Sequence, residues 1–206
     1  MNKIIAEYIW IGGNVPFGFL QVYDPKENKS IISFDFDLTG ILDIQVLDSL
    51  AFVLFQDGQD FGIMKFLYND GWEYRDSFRN FPELAGSINC FLANDSTLFI
   101  GTSFGIYLGN LSENLKDPNR WQAIDDAMDF EVTSATFNDS FIAFSSKTSL
   151  YELSILSGNW EVITFSYSFS NISEIIVSEN VYWIIDQKKL YRKSNAGDAL
   201  LENRYW

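Results

Sequence analysis

Asn94-Asp95-Ser96, followed by Thr97-Leu98-Phe99-Ile100-Gly101-Thr102-Ser103-Phe104-Gly105-Ile106-Tyr107-Leu108, is the stretch whose reading decides the fold. A polar turn opens a short run of β-branched and aromatic residues, Ser103-Phe104-Gly105 offers a tight hairpin, and a second run returns. The pattern recurs along the chain. Glu7 precedes Tyr8-Ile9-Trp10-Ile11-Gly12, Ser49 precedes Leu50-Ala51-Phe52-Val53-Leu54-Phe55, Ser140 precedes Phe141-Ile142-Ala143-Phe144, and Asn180 precedes Val181-Tyr182-Trp183-Ile184-Ile185. The anchors Glu7, Ser49, Ser96, Ser140 and Asn180 stand 40 to 47 residues apart. A period of about 43 residues is that of a unit of four short strands.

Each anchored run (strand b) is followed by a returning run (strand c), such as Gly18-Phe19-Leu20-Gln21-Val22-Tyr23 or Gly62-Ile63-Met64-Lys65-Phe66. Three units continue into a run opened by Trp72, Trp121 or Trp160 (strand d), and Ile31-Ile32-Ser33-Phe34 holds that place in the first. Residues 41–46, 88–92, 132–137 and 174–177 form the run before each later anchor (strand a). No window carries a helical apolar stripe, and residues 112–128 are the place for a short helical turn. The expectation is an all-β chain: a β-propeller of about four and a half blades of four antiparallel strands. It forms a single array of units at residues 1–40, 41–87, 88–130, 131–171 and 172–206. Such an array is either part of a larger ring, completed by further blades of the same polypeptide, or a five-bladed ring. The second reading takes residues 3–5 and 203–206, with a d strand beginning at Arg204, as terminal strands.

Composition narrows the function. The chain has 206 residues, 14 Lys plus Arg against 28 Asp plus Glu, a formal charge of -14, no His and one Cys. So acidic a chain lacks the driving term for binding nucleic acid. The absence of His removes the Ser-His-Asp and Cys-His triads and His-based zinc sites. No apolar run reaches the length of a membrane span, and the first seven residues do not read as a signal peptide.

Glu7-Tyr8-Ile9-Trp10-Ile11-Gly12-Gly13, followed by Gly18-Phe19-Leu20-Gln21-Val22-Tyr23-Asp24-Pro25, resembles the two-component regulator propeller repeat, and residues 97–107 are similar, with Phe99 in the Trp place. Related repeats occur in propellers of the type IX secretion machinery. The other three units match by pattern alone. The resemblance implies a sensor or scaffold portion of a larger bacterial envelope protein, periplasmic or extracellular, with a protein or glycan ligand.

Several motifs carry candidate chemistry. Asp35-Phe36-Asp37-Leu38-Thr39 looks like the nucleophile motif of a Mg²⁺-dependent phosphatase, but that fold needs βαβ units. The same residues read as a polar turn before Gly40, or as a weak Ca²⁺ loop. No other cofactor is expected. Acids gather on the loops joining b to c and d to a, among them Asp57, Asp60, Asp76, Asp126, Glu131 and Asp186. This is the face where ligand contact is expected, through Phe17, Asp57, Asp60, Phe61, Phe104 and Asp126. The Trp residues at recurrent strand positions read as packing, and Cys90 reads as an inert thiol. The rival reading is a propeller enzyme acting on carbohydrate, whose only acids on a strands are Asp43 and Glu174.

Overall fold

Short alternating runs between Asn, Asp and Gly turns fold here as strands throughout. The computed structural model describes residues 8–14, 18–124, 130–138, 141–154, 159–194 and 197–201. Five antiparallel sheets follow one another, and within each the strand order is the chain order or its reverse. The first holds β1 (Ile9–Gly13), β2 (Gly18–Asp24) and β3 (Lys29–Leu38). The second holds β4 (Gly40–Val46), β5 (Leu50–Asp57), β6 (Asp60–Tyr68) and β7 (Trp72–Phe78). The third holds β8 (Ile88–Ala93), β9 (Thr97–Thr102), β10 (Gly105–Asn110) and β11 (Trp121–Ala123). The fourth holds β12 (Ser134–Phe137), β13 (Phe141–Ser145), β14 (Leu150–Ser154) and β15 (Trp160–Ile163). The fifth holds β16 (Ile172–Ser178), β17 (Val181–Asp186), β18 (Lys189–Ser194) and β19 (Gly197–Leu201). Among the described residues there is no α-helix, only the 3-10 turns Glu83–Ala85 and Pro118–Arg120.

Two expectations are corrected. Asp35 and Asp37 lie within β3, not in a turn, because the β2–β3 hairpin pairs on to Gly18 and Leu38 across a register shift. Gly18 permits that approach: a Cβ there would stand 2.8 Å from the Leu38 carbonyl oxygen. A phosphatase motif would need a strand followed by a helix, and β3 passes instead through Thr39 into β4. The fourth strand of the fifth sheet is β19, ahead of Arg204. Leu201 pairs with Leu190, and Gly197 takes the positive φ (114°) that its turn requires.

The chain divides into two compact units, Met1–Pro82 with Ala93–Thr97 and Gly109–Trp121, and Glu83–Leu92 with Leu98–Leu108 and Gln122–Trp206. In the first, Leu20 and Val22 pack on Ala51, Val53, Phe55 and Phe66. Trp10 enters this seam, its ring 5.3 Å from Phe66 and 5.0 Å from Trp72. In the second, one core joins Phe99 and Ile106 to Ile142 and Phe144. Another core of that unit joins Ala143 and Leu150 to Ile175, Tyr182, Ile184 and Tyr191. Asn94 makes the turn before β9 by accepting from the backbone N–H groups of Ser96 (2.9 Å) and Thr97 (2.8 Å).

One cross-strand pair works against the sheet. Glu152 on β14 stands directly opposite Glu161 on β15. Burial, and then the Glu161 charge, raise the pKa of Glu152. Like charges so placed destabilise by about 0.2–1 kcal/mol. Glu152→Gln is therefore expected to raise the melting temperature by about 1–3 °C at neutral pH. With a raised pKa the folded state takes up its proton first, so the penalty is present above that pKa and fades as pH falls toward the unfolded value. Melting curves at neutral pH and near pH 4 check this. A gain that persists in acid would show that the repulsion is not its source.

Candidate ligand cleft

The first unit carries a cleft of about 330 Å³. One wall is the second sheet, with Leu50 of β5, Lys65 and Leu67 of β6, and Arg75, Asp76 and Phe78 of β7. The other is the β10–β11 connection, with Leu111, Glu113, Asn114 and Leu115. On β6, Met64 and Phe66 belong to the core shared with the first sheet, so alternation turns Lys65 and Leu67 to the opposite face.

Local chemistry shapes the connection. Asn110 accepts from the Ser112 backbone N–H (2.9 Å), and Asn114 from that of Lys116 (3.4 Å). Asp117 caps the Pro118–Arg120 turn through the Asn119 N–H (3.0 Å), a bond that holds its carboxyl below the usual range. Leu115 is buried, and its carbonyl accepts from the Trp121 indole N–H at 3.1 Å. The loop is tied to the second sheet by the Lys116 ammonium on Asp76 (2.7 Å) and by the Asn80 amide donating to the Lys116 carbonyl (2.9 Å). The Asp76 carboxylate raises the pKa of Lys116.

Charge at the cleft is uneven. Lys65 is the register partner of Asp76, but Lys116 occupies that carboxylate. Among the described residues Lys65 has no ion-pair partner, whereas Arg75 pairs with Glu73 at 2.6 Å. The cleft thus offers leucines on both walls and an ammonium that, among the described residues, has no ion-pair partner, on a strongly acidic chain.

The expected contact residues fall elsewhere. Asp57, Asp60 and Phe61 come together on the β5–β6 hairpin, where Asp57 and Asp60 are register partners beside Gly58 (φ 64°). Asp57 takes the Arg79 guanidinium at 2.7 Å, and that guanidinium also lies 4.7 Å over the Phe55 ring. Phe61 is half-buried. Phe104, on the β9–β10 hairpin in the second unit, is 53% exposed. Phe17 and Asp126 lie outside the described residues. The β5–β6 hairpin is at the end of the second sheet opposite the Leu50–Leu67 pair that lines the cleft. Asp43 accepts from the Ile44 N–H (2.7 Å) on β4, and Glu174 is exposed on β16. The sequence reading did not single out the cleft. Its signal was Lys65, a cation inside the otherwise uncharged run of residues 61–68.

Consecutive up-and-down antiparallel sheets, four of them four-stranded, define the β-propeller class. The chain is similar to the computationally designed Ika8 protein at 15% identity and a TM-score of 0.66, covering 98% of this chain and 60% of that one. It is similar to the AfRom2 CNH domain at 10% identity and a TM-score of 0.63, with 89% and 63% covered. A chain of the mitotic checkpoint complex crystal structure matches at 10% identity and a TM-score of 0.65, with 95% and 60% covered. The chain thus spans about three fifths of the length of the solved chains it matches, and the likeness is one of fold. No family model and no curated protein matches it. No helix among the described residues is long and apolar enough to cross a membrane.

Proposed function

We propose that this propeller is a non-enzymatic recognition module, the interaction portion of a bacterial envelope protein, and that the cleft beside the second sheet seats its ligand. The observation that carries the reading is Lys65, without an ion-pair partner among the described residues, in a cleft lined by Leu50, Leu67, Leu111 and Leu115. A ligand with an aliphatic side chain and a nearby carboxylate satisfies both features: burial of the chain supplies affinity, and the ammonium supplies orientation. An acidic, leucine-bearing segment of a protein has that chemistry. The resemblance of residues 7–25 to the two-component regulator propeller repeat supports the envelope setting.

An array of acidic leucine-bearing peptides, with lysine-substituted counterparts, tests the cleft. The chain is expected to bind the acidic set saturably and more weakly as salt rises. Lys65→Glu is expected to reduce that binding about tenfold or more. Binding indifferent to Lys65→Glu, or none on the array, would remove the cleft from the reading.

A further inference from the structure

Four charged side chains line the cleft: Lys65, Arg75, Asp76 and Glu113. Arg75 and Asp76 both stand opposite Lys65, because the β6–β7 register passes over Arg75 between the pairs Lys65–Asp76 and Phe66–Tyr74. Directly opposed residues of an antiparallel pair share a face with Cβ atoms about 5 Å apart, so a lysine opposite an aspartate ordinarily forms a cross-strand ion pair. Here the Asp76 carboxylate takes the Lys116 ammonium instead, at 2.7 Å. Glu113 takes the Arg120 guanidinium at 3.7 Å, and Arg75 is held by Glu73 at 2.6 Å. Among the described residues, Lys65 alone of the four has no ion-pair partner.

Lys116 and Arg120 are placed by the β10–β11 connection and not by the sheet. The Asn80 amide donates to the Lys116 carbonyl at 2.9 Å, and the Asn114 side chain accepts from the Lys116 N–H at 3.4 Å. Asp117 caps the short turn that carries Arg120. Lys116 is therefore fixed through both of its backbone polar groups, and its ammonium meets Asp76 at Oδ1, the oxygen that also accepts from the Ser77 N–H at 2.8 Å. The connection brings its own cations to the carboxylates of the cleft, and the lysine of the sheet is spared.

We propose that Lys116 is a specificity-determining residue of the cleft: by holding Asp76 it keeps that carboxylate off Lys65, so that the Lys65 ammonium stays available to a carboxylate of the ligand. The inference rests on the reading of the cleft as a site for an acidic, leucine-bearing segment. With the charge of Lys116 removed, Asp76 turns to its register partner Lys65, and an acidic ligand must displace it. The loss is that of one exposed ion pair, about three- to fivefold in affinity.

Carbodiimide coupling reads the partner of Asp76 with no ligand present. The reagent activates the carboxyl group, a contacting amine displaces it as the urea, and the new amide joins two residues with the net loss of one water. Peptide mass spectrometry is expected to find Asp76 joined to Lys116 in the native chain and to Lys65 in Lys116→Gln. In parallel, binding of the acidic leucine-bearing peptides is expected to fall about three- to fivefold in Lys116→Gln. It is expected to stay at the native level in Lys116→Arg and to recover when Asp76→Asn is added to Lys116→Gln. Lys26→Gln, which removes the same charge from the exposed β2–β3 turn, is expected to leave binding unchanged. An Asp76–Lys65 link that already dominates in the native chain, or none in Lys116→Gln, would overturn the proposal whatever the cleft binds. So would an equal loss of binding in Lys26→Gln. Acidic peptides that do not bind the native chain would instead overturn the reading of the cleft and, with it, the role given to Lys116 in recognition, even where the cross-link moves as expected.

Discussion

Phe66→Ala is expected to lower stability by about 3–5 kcal/mol and the melting temperature by roughly 10 °C. Phe66 is fully buried, packs on Trp10 and Tyr74, and lies in the core that joins the first two sheets. Truncation removes the ring's transfer free energy and leaves a cavity that the surrounding β-branched side chains cannot collapse into. Tyr74, 44% exposed on β7, makes a control: Tyr74→Ala should cost well under half as much. Thermal denaturation followed by circular dichroism measures both. Equal losses at the two positions would show that the seam is not where the first unit draws its stability.

Asp186→Ala is expected to cost roughly 3 kcal/mol. The carboxylate, 4% exposed at the end of β17, accepts from the backbone N–H groups of Asn171 at 2.6 Å and Ser170 at 3.2 Å. It pins the connection that enters β16. Alanine removes two charge-assisted hydrogen bonds from backbone donors, each worth about 1.5–3 kcal/mol. Asp186→Asn keeps one acceptor oxygen and should recover about half of the loss. Denaturant titration of the three proteins checks the order. If the asparagine variant is no better than alanine, the carboxylate's charge matters and the count of acceptors does not.

Asp186 also shows where the sequence was misleading. It reads as one of an acidic group at a loop face, yet it is an internal acceptor. Asp57, Asp76 and Glu131 from the same group hold Arg79, Lys116 and Lys147 at 2.7, 2.7 and 2.6 Å. Arg79 and Lys147 belong to the same loop face, but which acid holds which cation is a tertiary matter that a tally of loop charge does not show. The b and c strands were legible because each is a dense β-branched or aromatic run bounded by a polar turn, and Trp72, Trp121 and Trp160 marked three d strands. Strand β19 was missed because Gly197-Asp198-Ala199-Leu200-Leu201 has neither a β-branched residue nor a tryptophan opener. The cleft was hidden for another reason. Its second wall exists only because Asn110, Asn114 and Asp117 fold the β10–β11 connection back on the second sheet, a tertiary event with no period to announce it.

Strand order that follows chain order bears on how the protein is made. Every hydrogen-bonded pair of strands is also adjacent in sequence. A sheet therefore needs only its own forty or so residues, which a ribosome delivers in about 2–8 s. Hairpins close in microseconds, so each sheet has finished its ladder long before the next has emerged. What it still lacks is a neighbour for its forward face. During synthesis each sheet in turn is the exposed end of the growing chain, its apolar side bare until the following forty residues arrive.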